Sequence, residues 1–177
     1  MDKGDTSWLM ISSILVLMMN TPGLAMYFGG FSREKNLVTV IMHTFSVASI
    51  VTFAYLSFGY SLAFSPVNAS QNNNLKGLTF LGNEQRFWLT GLTANTIHQS
   101  APTIPESVFC FFELSFAIVT AALLSGSFEG RVKAHAMLLY LFCWHICVYA
   151  PIAHWNWHPS GFLKKAGVLD FAGGNDQ

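Results

Sequence analysis

Phe109, Phe112, Glu113 and Phe116 recur at i, i+3, i+4 and i+7, so a helix through them carries one aromatic face with a single carboxylate. An aromatic face attracts a cation that is shedding water, by cation–π contact worth about 0.5–2 kcal/mol as desolvation deepens. A carboxylate beside it either raises cation occupancy or is neutralised by protonation in its buried setting. Taken alone, a Phe stripe in an apolar helix more often packs or faces lipid. Asp170 is the other residue of note, an ionisable group at the start of a further apolar segment. Such a group is costly without partners, and its type also suits a helix N-cap.

The elements that must position these residues follow from the distribution of charge. Only 10% of the residues are charged and 52% are hydrophobic, too little charge for an ordinary soluble surface. No Asp, Glu, Lys or Arg occurs between Asp5 and Arg33 or between Lys35 and Lys76, and only Lys164 and Lys165 occur between Lys133 and Asp170. A spanning helix needs about 20 mostly apolar residues. The runs predict an all-α membrane protein with helices over 7–31, 37–64, 107–126 and 134–153, and the start of a fifth near 162, all in one domain over 1–177. Only Glu113 interrupts the third run. The first run is too long for a secretory leader and reads as a retained helix, with Thr6 or Ser7 as its cap and Pro22–Gly23 as a kink. Pro66 ends the second run. The segment from Val67 to Ile104 reads as a partly ordered loop, carrying a weak glycosylation signal at Asn68-Ala69-Ser70.

Several function classes are disfavoured. A formal net charge of zero without basic clusters argues against nucleic acid. Cys110, Cys143 and Cys147 lack zinc-ligand spacing and read as small buried hydrophobes. His145 and His154 raise the thought of haem or metal ligation, but a spacing of nine does not put them on one helical face. No hydrolase triad is supported, and the reading is of a non-enzyme without a cofactor. The Lys and Arg counts on the two sides are too even to orient the chain.

The segment from Thr21 to Gly30 (TPGLAMYFGG), with Arg33, Lys35 and Asn36, resembles the first helix and turn of the Amt/Mep/Rh ammonium transporter family. So do Phe58–Phe64 (FGYSLAF), Tyr149–Trp155 (YAPIAHW) and Gly167–Gly174 (GVLDFAGG), in the family's order and similar spacing. The resemblance implies the first of two inverted repeats in an eleven-helix fold, a pore in each subunit, and a homotrimer when complete. It implies transport of ammonium or ammonia, with methylammonium as an analogue, across a cell membrane with the N-terminus outside. The cation would be recruited at an aromatic outer vestibule, deprotonated, and passed through an apolar pore. By position, Phe112 and Trp157 resemble the recruitment aromatics, Phe116 a gate phenylalanine, and Asp170 an aspartate that supports the site without touching the cation. Glu113 departs from the neutral residue, often glutamine, of many relatives. The stretch from Ser127 to Arg131 departs from the common Ala-Glu-Arg pattern, and the stretch from Trp157 to Asp170 is one residue longer than in many members. The family's paired pore histidines belong to the second repeat, and His43, His98, His135, His145, His154 and His158 are not their substitutes. The expectation is a truncated transporter, and the alternative is a non-conducting ammonium sensor or accessory subunit.

Overall fold

A computed structural model describes residues 1–65, 80–168 and 170. Four long apolar helices dominate it: Lys3–Phe31, Glu34–Phe64, Glu106–Gly126 and Ala134–Trp157, here the first to fourth spans. At about 1.5 Å per residue, their lengths of 21 to 31 residues cover a hydrocarbon core of about 30 Å. Their outer faces expose Ile14, Leu15, Met18, Met26, Val38 and Leu139, the reverse of a soluble surface. The chain is a mostly helical integral membrane protein, with four spans among the described residues. Its core is built from Val47, Val51, Phe64, Leu114, Ala117 and Leu141 on the second, third and fourth spans. Pro66, Lys76, the Asn68 sequon, Leu169 and the end of the last family-like segment lie outside the described residues.

The first span begins earlier than its sequence suggests. Asp2 is the cap, its Oδ1 accepting the Asp5 backbone N–H at 2.9 Å. Thr6 and Ser7 instead donate their hydroxyls to the carbonyls of Asp2 and Lys3 four residues back. A hydroxyl satisfied inside the helix has no reason to end it.

Three of the four spans widen into a π-helical turn: Met19–Leu24, Tyr55–Gly59 and His145–Tyr149. Pro22 lies inside the first, and Pro151 follows the third by two residues. A proline supplies no N–H and crowds the carbonyl four residues back, which a wider turn relieves. The turn at Tyr55–Gly59 has no proline. It faces the one at His145–Tyr149, and a Cβ at Gly59 would collide with His145 Nε2. Gly59 is thus what lets the imidazole lie against the second span.

Cys110 is buried, but Cys143 and Cys147 are exposed, correcting their reading as buried hydrophobes. The fourth span turns Met137, Leu141 and His145 inward, so these two cysteines fall on its outer face. A short helix, Phe162–Lys165, follows the fourth span and packs Phe162 against Trp155 and Phe80. Gly167, at φ 79°, turns the chain after it. The helix at 162 is therefore a single turn, set apart from Asp170.

The connection between the second and third spans contains a small antiparallel pair, Ile97–His98 with Ala101–Pro105. The Asp2 backbone N–H donates to the Thr103 carbonyl at 2.7 Å, tying the N-terminus to this pair.

Candidate functional site

At the end of the bundle where the second and fourth spans finish, Trp157 and Asp170 meet. The indole Nε1–H donates to Asp170 Oδ2 at 2.8 Å, and Asn156 Nδ2 donates to the same oxygen at 3.3 Å. Lys164 Nζ donates to the Trp157 carbonyl at 3.1 Å, which fixes the backbone beneath the indole. The indole lies parallel to Phe64, with 6.5 Å between centroids and 5° between planes, and Phe64 meets Phe109 edge-on at 5.4 Å. An aromatic tier thus runs from the end of the fourth span to the third, with one carboxylate at its rim.

Phe112 and Phe116 form a second aromatic unit on the third span, edge to face with centroids 4.9 Å apart. Phe116 is 36% exposed and Phe112 half-buried, so the pair lines an open face of that span. The sequence-predicted residues therefore fall into two groups, Trp157 with Asp170 and Phe112 with Phe116. Among the described residues the link between them runs through Phe109, one helical turn before Phe112. Glu113 projects from the same span, close enough to Tyr55 and Tyr149 to act on both electrostatically.

Two features around this site were not anticipated from sequence. The first is a buried ion pair. Arg86 Nε and Nη2 donate to Glu106 Oε1 and Oε2, both at 3.0 Å, and Tyr60 Oη donates to Oε1 at 3.0 Å. Glu106 is 1% exposed, and the fork geometry satisfies both of its oxygens. The pair clamps the connection onto the second and third spans. Glu106 at the first position of a helix, directly after Pro105, was the available signal.

The second is a histidine collar around the end of the second span. The last carbonyls of a helix lack internal partners. Here His154 Nδ1 bonds the Ala63 carbonyl and His98 Nε2 the Phe64 carbonyl, each at 2.8 Å, while His158 reaches the Ser65 backbone. The Ser100 and Ser160 backbone N–H groups donate to His98 Nδ1 and His158 Nδ1, which fixes both rings as the neutral Nε2–H form. Burial pushes His158 down to about 3, helped by neighbouring His154 and His98, and burial also holds His98 below its ordinary value. These histidines hold the backbone at the end of the second span. At the opposite end of the bundle, His43 Nδ1 lies 3.1 Å from Glu129 Oε1, joining the second span to the turn after the third.

A sequence profile of the Ammonium Transporter Family matches residues 7–175. An ammonium transporter of Bacillus subtilis is 40% identical over 175 residues, covering 99% of this chain and 40% of the relative. One from Aquifex aeolicus is 37% identical, covering 98% of this chain and 38% of the relative. Among solved structures, Candida albicans Mep2 superposes with a TM-score of 0.79 at 34% identity, over 97% of this chain and 35% of that one. Saccharomyces cerevisiae Mep2 gives 0.80 at 30% identity, over 97% of this chain and 38% of that one. The chain thus spans about 40% of the length of the curated relatives it matches.

Proposed function

Because the chain belongs to the ammonium transporter family, we propose that it forms the cation-recruiting end and part of the gate of a pathway for ammonium or ammonia. The observation that carries this is the Trp157–Asp170 hydrogen bond beneath an aromatic tier. A carboxylate that accepts from an indole N–H fixes the ring's orientation and adds negative potential at its rim, while the ring face remains available to a cation.

Recruitment is cation–π attraction supplemented by that potential. Beyond it, Phe112 and Phe116 narrow the way and exclude water. A bare charge in so apolar a passage is costly, which favours loss of a proton and passage of the neutral molecule. Asp170 acts through Trp157 and the local backbone rather than on the cation. Glu113, one residue after Phe112, places a carboxyl group beside the pair. The reading includes a homotrimer in the complete protein, a plasma-membrane location with the N-terminus outside, and no enzymatic step.

The test is methylammonium uptake by cells lacking their own transporters and expressing this chain or its Trp157→Leu variant. Uptake reduced severalfold by the substitution supports the reading. Uptake indifferent to Trp157 overturns the assigned recruitment site. Ammonium binding without any uptake favours the sensor alternative.

A further inference from the structure

Tyr55, His145 and Tyr149 stand on the two facing π-turns of the second and fourth spans, within the bundle. The His145 and Tyr149 rings stack at 5.0 Å and 19°, and Tyr55 meets His145 edge-on at 5.8 Å. Tyr55 and His145 are 0% exposed and Tyr149 is 7% exposed. Among the described residues, neither imidazole nitrogen and neither phenol oxygen has a hydrogen-bond partner.

Buried polar groups are almost always satisfied, and in a bilayer the alternative of pairing with solvent at the surface is lost. Four bare atoms on three adjoining rings are therefore a coherent feature rather than scattered omissions. Their chemistry is specific. A neutral imidazole offers one donor and one acceptor, and each phenol offers both. The carboxyl group of Glu113 on the third span lies near Tyr55 and Tyr149 and offers a further hydrogen-bonding group rather than a cationic partner for an anion. An apolar occupant would leave all four atoms bare. A small tetrahedral molecule that makes several hydrogen bonds suits them, and the rings themselves accept a cation.

We propose that Tyr55, His145 and Tyr149, with Glu113 beside them, form an internal binding site for a small tetrahedral hydride of oxygen or nitrogen, namely water or ammonium. This site is distinct from the Trp157–Asp170 pair and does not depend on the transport reading.

The experiment is solid-state NMR of the full chain in lipid nanodiscs with 15N-labelled histidine, in sodium chloride and then in ammonium chloride. The His145 signals are assigned by their loss in His145→Phe. Tyr55→Phe and Tyr149→Phe, which remove only the hydroxyls, provide the assignment by selective perturbation should His145→Phe not fold. A cross-peak from water to the His145 nitrogens, unchanged by ammonium, supports the site with water as occupant. A shift of those nitrogens specific to ammonium supports it with the cation as occupant. In either case the two Tyr→Phe variants should weaken the signal at least twofold. Imidazole nitrogens that show neither a water contact nor an ammonium shift overturn the proposal. So does a signal indifferent to both hydroxyls.

Discussion

The Trp157 indole donates to Asp170 Oδ2 at 2.8 Å across thirteen residues, so the loop after the fourth span is folded back onto the ring that ends it. A hydrogen bond to a charged group contributes about 1.5–3 kcal/mol. If that bond holds the indole for a cation, Trp157→Phe keeps an aromatic face but frees its orientation, and methylammonium affinity should fall roughly tenfold or more. Asp170→Asn retains an acceptor and should lose less than Asp170→Ala. Calorimetry in lipid nanodiscs reads this whether or not the chain conducts. Equal affinity in the native chain and Trp157→Phe would sink the idea.

Glu106 and Arg86 should dominate the stability of the same end. Removing one partner of a buried pair leaves an uncompensated charge and typically costs about 3–5 kcal/mol. Arg86→Met should therefore lower the melting temperature sharply, whereas Arg86→Met combined with Glu106→Leu should recover part of the loss. Tyr60→Phe removes one of the bonds to Oε1 and should cost about 1 kcal/mol. Thermal melts in detergent distinguish these. A double variant no better than Arg86→Met would show that the clamp is held by something other than charge pairing.

The spans were legible because charge is so scarce. A stretch such as Leu37–Phe64, with no Asp, Glu, Lys or Arg, has few homes other than a bilayer. The Phe112–Phe116 pair was legible from a spacing of four. The Trp157–Asp170 contact was not visible in spacing at all, and only the family resemblance singled out both residues. Arg86 and Glu106 stayed hidden because they lie twenty positions apart along an irregular connection, whose closure leaves no periodic trace. The cap was misplaced because Thr6 and Ser7 are good cap types whose hydroxyls the helix itself consumes. Nor does anything local mark Tyr55–Gly59 as a π-turn, which contains no proline and faces His145 across the bundle.

Acid should loosen the histidine collar. His98 and His158 are held neutral, each accepting a backbone N–H at Nδ1. A protonated ring has no acceptor there. With His158 lowered from 6.5 to about 3, the unfolded chain takes up a proton that the folded chain refuses. The contribution is complete above pH 6.5 and is lost as pH falls towards about 3, at up to about 1.4 kcal/mol per pH unit for each such proton. His98, lowered in the same direction, adds to the slope. Melting temperatures between pH 7 and pH 4 (roughly the span over which the linkage acts) should fall steeply in the native chain. The slope should be shallower in His98→Gln with His158→Gln. Parallel slopes would place the acid sensitivity elsewhere.

Gly59 and His145 offer a test of why the second and fourth spans approach so closely. A methyl group at position 59 would occupy the space of the imidazole Nε2, and both residues are buried. Overpacking of this kind costs about 1–3 kcal/mol. Gly59→Ala should therefore be destabilising in the native background. In a His145→Ala background the obstacle is gone, and the same substitution should be close to neutral or stabilising, because alanine is the better helix former. The difference between the two backgrounds is the coupling energy of the contact. An equal cost in both would mean that glycine is needed by the π-turn backbone itself, and that His145 merely occupies the space the turn leaves.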